Sequence, residues 1–250
     1  GPVRLTKLAP PQLPDLFRGE QVVVLGRYSG SGDVAITLEG AVNGTPRLFT
    51  WGASFPGRAT EHAFVPRLWA TRRIGFLLDR IRLDGESAEL RDEVTDLARR
   101  YGVVTPYTAF LVLEDEARRG VPVSARTMQA PAGDGRTRAA AAELYREVRE
   151  KKSGDAAVGG AQAVDSLKRA QNAAAPSASN DYALRAEAAA PAEAPAPVRQ
   201  LVSSQTARFV NGRTFWQNGS AWVDAGVQSQ KGARARQVKF GSKEYDALLG

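Results

Sequence analysis

The sequence predicts an α+β protein: an antiparallel β-sheet or sandwich unit covered by a helical pair, an Ala/Pro-rich linker, and a small C-terminal β-meander. Three observations carry that reading. Residues 64–101 hold two stretches in which apolar side chains recur at helical spacing. Before them, and again after residue 199, short β-rich runs are separated by Gly- and Asn-Gly-containing turns. Between the two β-rich regions the chain turns to Ala and then to Ala/Pro, with Ala188 to Pro197 reading AAAPAEAPAP. The boundaries that follow are 1–125 for the sheet and helical pair, 126–198 for the Ala-rich helical and Pro-rich linker, and 199–250 for the meander.

Residues 3–14 are Pro-rich and read as an extended lead-in, and Asp15 to Glu20 as a turn. Gln21 to Tyr28 (QVVVLGRY) reads as a strand, and Ser29-Gly30-Ser31-Gly32-Asp33 as a hairpin turn. That glycine-rich run is not a phosphate cradle, because no helix and no Lys-Ser/Thr ending follows it. Val34 to Glu39 alternates, with Val34, Ile36 and Leu38 on one face. Asn43-Gly44 marks a tight turn, and Arg47 to Phe55 reads as the return strand. Such a meander needs a layer over its apolar face.

The first helix is expected from Phe64 to Leu83. Leu68, Trp69, Leu77, Leu78 and Ile81 share a face with Ile74 beside them, and Pro66 suits the first turn. Arg67, Arg72, Arg73, Asp79, Arg80 and Arg82 are expected on the solvated face. Gly85 ends the helix. The second helix runs from about Ser87 to Tyr101, with Leu90, Val94, Leu97 and Tyr101 as its apolar stripe. Acids at its start and Arg99-Arg100 at its end suit the helix dipole, and Gly102 is a left-handed cap. Pro106 forbids further helix, so Tyr107 to Leu113 reads as a strand.

Past it, Glu114-Asp115-Glu116 lacks the alternating ligands and central Gly of a calcium loop, and reads as a solvated strand end. Ala139 to Lys152 is a strong helix former, and Ala156 to Ala175 a second helix with Val158, Val164 and Leu167 as sparse apolar sites. In the last unit, Val198 to Val202, Thr206 to Val210, Arg213 to Gln217 and Ser220 to Asp224 read as strands, with turns at Asn211-Gly212 and Asn218-Gly219. Phe215 and Trp222 are placed to stack across them. Gln237 to Phe240 and Glu244 to Leu249 read as a last strand and a short helix.

Composition bounds the chemistry. The 250 residues contain no Cys and one His, so disulfides, thiolate zinc sites, cysteine catalysis and multi-histidine metal sites are excluded. His62 lies just before the first helix and reads as structural rather than catalytic. The carboxylates fall in no frame suited to general acid–base work. No cofactor is expected. No run approaches the roughly 18 apolar residues of a membrane-spanning helix. No signal peptide is read at the start, and Gly1-Pro2 reads as a protease scar, which places the expected natural start upstream.

The net charge is +7. The basic residues of the last unit are Arg208, Arg213, Lys231, Arg234, Arg236, Lys239 and Lys243, against Asp224, Glu244 and Asp246. This permits a polyanion partner, nucleic acid or anionic glycan. Arg213, Trp216, Trp222, Arg234, Arg236 and Lys239 are the candidate interaction residues, since aromatic faces beside basic side chains form a stacking platform for single strands. The competing expectation is that these aromatics are simply the core of a small β-unit.

Phe64-Val65-Pro66-Arg67-Leu68-Trp69-Ala70, Arg72-Arg73-Ile74, and the run Tyr101-Gly102-Val103-Val104-Thr105-Pro106-Tyr107-Thr108-Ala109-Phe110-Leu111-Val112 resemble a known segment. It follows the von Willebrand factor A domain in proteins of the inter-alpha-trypsin inhibitor heavy chain type, which also carry a VIT (vault protein inter-alpha-trypsin) domain. Bacterial members are the most similar, and the resemblance reaches upstream through Asp15-Leu16-Phe17-Arg18-Gly19. It implies a segment that completes a β-sandwich with a VIT domain. It also implies a non-enzymatic role in protein binding or cell adhesion, and a place in the cell envelope or outside the cell. The partners it implies are another protein, or VIT and von Willebrand A domains of the same polypeptide. The Asp-x-Ser-x-Ser metal motif of a von Willebrand A domain occurs nowhere in this sequence, so no metal site is carried over.

Overall fold

The computed structural model describes residues 1–59, 61–62, 64–103, 139, 142–143, 145–146, 149–150, 153–170, 207–210, 213–218 and 221–228. These residues form an α+β structure with antiparallel strands. The strand expected at Tyr107 to Leu113, the acidic cluster after it, the Ala/Pro run at 188–197, the strand expected at Val198 to Val202, the last strand and the terminal helix lie outside the described residues.

The centre is helix α1, Val65–Asp84. Pro66 sits in its first turn, and Gly85 closes it with φ 98° and its N–H on the Ile81 carbonyl. Ala70, Ile74, Leu77, Leu78 and Ile81 are all within 2 % of complete burial. Helix α2, Ala88–Tyr101, packs beside it. The Ser87 hydroxyl accepts from Leu90 N–H at 3.2 Å, and Gly102 is left-handed at φ 64°. The sequence placed both helices to within a residue at each end, because their caps are local chemistry.

The solvated face expected for α1 forms only in part: Arg80 is exposed, and Arg73, Asp79 and Arg82 are half-buried. Arg67 and Arg72 are buried, at 7 % exposure each. Arg72 Nε donates to the Ala170 carbonyl at 2.6 Å, and its Nη1 to the Val23 carbonyl at 2.8 Å. Burial lowers both guanidinium pKa values from the ordinary value. The reason is packing on several sides: α2, a third helix and a pair of strands all lie against α1.

That third helix is α3, Asp155–Lys168. It falls within the helix expected at Ala156 to Ala175, and two of the three sparse apolar sites, Val164 and Leu167, join the core with Tyr145, while Val158 is exposed. Gly75 makes the approach possible. A Cβ there would stand 2.8 Å from Lys168 N and 2.9 Å from Leu167 Cβ. Lys168 also reaches Asp79 of α1 at 2.7 Å.

The N-terminal strands pair differently from the expected meander. The lead-in is strand β1, Val3–Ala9, which pairs antiparallel with β2, Leu25–Gly30. Strand β3, Gly32–Val42, pairs with β4, Thr45–Phe55, in a separate ladder. Ser29 to Asp33 is therefore not a hairpin turn. It is a passage from one ladder to the next, with Gly30 at φ 88° and Gly32 at φ 125°. Gly30 lies opposite Val3, so close to the Pro2 carbonyl that a side chain would collide with it. The expected tight turn does form at Asn43-Gly44, with φ 50° and 76°. Eleven consecutive pairs, Gly32↔Phe55 to Val42↔Thr45, run down to it without a bulge.

β1, α1 and α2 are tied by one charge cluster. Arg73 Nε and Nη2 each donate to a Glu93 carboxylate oxygen at 3.2 Å, and Lys7 Nζ adds a bond of 2.8 Å. Partial burial pushes the Glu93 pKa up. The hydrogen bonds and charges of Arg73 and Lys7 outweigh it and hold the carboxyl below its ordinary value. Its stabilisation is thus fully present above the unfolded pKa of about 4.3 and is lost as pH falls through the folded value. Thermal melts across that acid range should show Tm falling more steeply in the native chain than in Glu93→Gln. Parallel curves would exclude the linkage.

The C-terminal strands are β5, Ala207–Val210, β6, Arg213–Asn218, and β7, Ala221–Asp224, in the order β5-β6-β7, followed by a single turn, α4, Ala225–Gln228. This is the expected meander. It rests on the end of α2.

Candidate interaction surfaces

The meander grips the last turn of α2, where carbonyls lack partners along the helix. Trp216 Nε1 donates to the Arg99 carbonyl at 3.2 Å, and Thr214 Oγ1 to the Arg100 carbonyl at 2.5 Å. Arg67 of α1 reaches the Gly102 carbonyl at 3.4 Å from the other side. Trp216 is 5 % exposed. Its indole belongs to the packing between β6 and α2, and no ring face is left to stack on a base.

Arg213 is exposed, and its Nη2 lies 2.6 Å from Asp224 Oδ2. Asp224 Oδ1 accepts from Gly226 N–H at 2.6 Å. In the β6–β7 ladder Trp222 pairs with Gln217, and Phe215 with Asp224. Phe215 and Trp222 are diagonal neighbours rather than directly opposed. Arg234, Arg236 and Lys239 lie outside the described residues. The structure thus brings Arg213, Trp216 and Trp222 onto one sheet, with Trp216 as core.

Beside that sheet lies a cleft of roughly 500 Å³, lined by Arg99, Arg100, Arg213, Asp96, Asp224 and Thr214. Arg99 and Arg100 were not singled out in the sequence, where they read as helix-dipole partners. Three arginines against two aspartates leave the cleft mildly cationic. His62 is exposed at φ 58°, with its ring 5.9 Å from that of Phe64. Among the described residues no group of three His, Asp or Glu side chains is placed to hold a metal ion, and no helix is long and apolar enough to cross a membrane.

The most unusual surface is the β3–β4 hairpin. Its register puts Val34, Ile36 and Leu38 on one face, opposite Ala53, Trp51 and Phe49. Phe55 and Tyr28 extend the row, with ring centroids 5.0 Å apart. Phe49 and Trp51 stack with their planes 11° apart. Yet Ile36 is 41 % exposed, Phe49 46 % and Trp51 52 %. Among the described residues helix α1 packs on β1 and β2, and neither helix packs closely over this hairpin. The expected cover is missing among the described residues. The opposite face carries Asp33, Thr37, Glu39, Thr50 and Ser54 beside the apolar Ala35, Ala41, Pro46 and Leu48, so it is the more polar of the two and the bulky rings gather on the other.

Compared with protein-family models, with curated proteins and with solved structures, the chain gives no match in any of the three.

Proposed function

We propose that this chain is a non-enzymatic protein-interaction or adhesion region of the VIT and von Willebrand A type, acting at the cell envelope or outside the cell. The observation that supports it is the apolar face of the β3–β4 hairpin. A two-stranded ribbon is marginal in water, and contiguous exposed apolar patches of this kind mark interaction sites. The resemblance gives the class of protein. It also makes a β-layer from a VIT domain one candidate cover, which would complete the expected sandwich. The exposed face gives the means of binding.

The face is testable without knowing the partner. At submicromolar protein, the dye bis-ANS should bind the native chain and lose several-fold in fluorescence with Trp51→Glu, at unchanged Tm. Absence of dye binding to the native chain would remove the reading.

The second reading is a polyanion-binding module in the C-terminal unit, supported by the Arg99, Arg100 and Arg213 cleft. It calls for affinity that falls steeply with salt.

A further inference from the structure

We propose that the apolar face of the β3–β4 hairpin docks against the same face of a second copy of this chain, in a two-fold, face-to-face pair. This rests on the reading of that face as an interaction surface and names its partner. The face is self-complementary in size on either side of its middle rung, which meets its own copy with Trp51 against Trp51. Its rungs are Gly32·Phe55, Val34·Ala53, Ile36·Trp51, Leu38·Phe49 and Gly40·Arg47. Take a two-fold axis through the middle rung, Ile36·Trp51. The bulky Leu38·Phe49 rung then falls on the small Val34·Ala53 rung of the other copy, twice by symmetry. Large against small is how facing layers interdigitate, and a two-fold interface is self-complementary by construction.

The charge on the face fits the same axis. Arg47 is its only charged residue between Gly32 and Phe55. The axis carries the Gly40·Arg47 rung onto the Gly32·Phe55 rung of the other copy. Each guanidinium thereby meets the Phe55–Tyr28 aromatic pair, a favourable cation–π arrangement. The two arginines sit at opposite ends of the interface and do not oppose one another. Asp33 and Glu39 are on the outer face and stay in water.

The area sets the strength. With aromatic side chains of about 150–250 Å², half-exposed Phe49 and Trp51 offer roughly 200 Å² together. Ile36, Val34, Leu38 and Phe55 bring the patch to roughly 400–500 Å², the range of functional patches on monomers. A pair therefore buries roughly 800–1,000 Å², the low end for specific interfaces. A reversible dimer with a Kd in the micromolar range is expected.

Sedimentation velocity of the whole chain from about 1 to 200 μM tests this. The native chain should shift from monomer to dimer, and bis-ANS fluorescence per chain should fall over the same range. Trp51→Glu should raise the dimer Kd at least tenfold. Leu48→Lys, on the outer face opposite Glu39 and 65 % exposed, should leave it unchanged. Equal loss in both variants would place the contact elsewhere and overturn the proposal. A chain that binds bis-ANS through Trp51 yet stays monomeric at 200 μM would also overturn it, while leaving the interaction face intact for another protein. A chain that neither dimerises nor binds the dye removes both.

Discussion

Replacing Trp216 with alanine is expected to release the C-terminal meander from helix α2 and to cost about 3–5 kcal/mol, the usual range for truncating a buried tryptophan. Two losses combine. The indole is 5 % exposed and fills the contact between β6 and α2. Its N–H is also a partner of the Arg99 carbonyl, at 3.2 Å, in a turn where the helix supplies none. Trp216→Phe keeps most of the packing and loses only the bond, so it should cost about 1–3 kcal/mol. Chemical unfolding of the three chains gives the order. Native-state proteolysis shows where the loss lies, with new cleavage after residue 200 in Trp216→Ala and little in Trp216→Phe. A Trp216→Ala chain as stable as the native one would mean that the meander does not rest on α2. The pair of variants also bears on the polyanion reading. Binding through the Arg99, Arg100 and Arg213 cleft should survive Trp216→Phe with its salt dependence intact, whereas stacking on the indole would be weakened by it.

Trp69→Ala should be comparably damaging, at about 3–5 kcal/mol, for a different reason. Trp69 is 2 % exposed on α1 and joins three elements. Its Nε1 donates to the Lys7 carbonyl of β1 at 2.8 Å, and its ring meets Tyr101 of α2 edge-on with centroids 6.0 Å apart. The guanidinium of Arg27 lies 5.9 Å from the same ring. Its removal leaves a cavity at the junction and takes away a side chain that holds β1 to the helices. The β1–β2 ladder should then exchange its amide protons faster than α1 does, which hydrogen exchange resolves. Uniform acceleration of every element would instead mean that the ladder and the helices unfold as one unit. Retention of native stability would show that Trp69 is not the junction.

The elements that could be read in advance are those whose cause lies within a few residues. Ser87 and Gly102 fix the ends of α2 through a side-chain cap and a left-handed residue. Asn43-Gly44 fixes the β3–β4 turn, and the alternation of Val34, Ile36 and Leu38 identifies the apolar face that the ladder then displays. The β5-β6-β7 order is the meander that Asn211-Gly212 and Asn218-Gly219 led the sequence to predict, with Asn218 itself the last residue of β6.

The misreadings share one origin, competition between distant segments. Ser29 to Asp33 has every feature of a hairpin turn, but β1 captures β2 up to Gly30 and β4 captures β3 from Gly32, so no strand pair is left for it to close. Arg67 and Arg72 look like solvated charge because helical periodicity describes one buried stripe. On α1 several elements converge, and distant carbonyls at Val23, Ala170 and Gly102 receive the guanidiniums. The helix expected from Ala156 does form, but its few apolar residues did not say what it packs against. Gly75 lets α3 come close enough for Val164 and Leu167 to be buried regardless.

The sequence by itself determined the α+β class, the two capped helices, the hairpin and the meander, because caps, turn residues and alternation act over distances of a few residues. Only the tertiary structure decided that Trp216 is core, that α3 belongs to the α1 packing, and that α1 packs on β1 and β2 while the apolar face of β3 and β4 stays exposed among the described residues. Those outcomes depend on which of several amphipathic surfaces meets which. Hydrophobic burial is non-directional and does not name its partner.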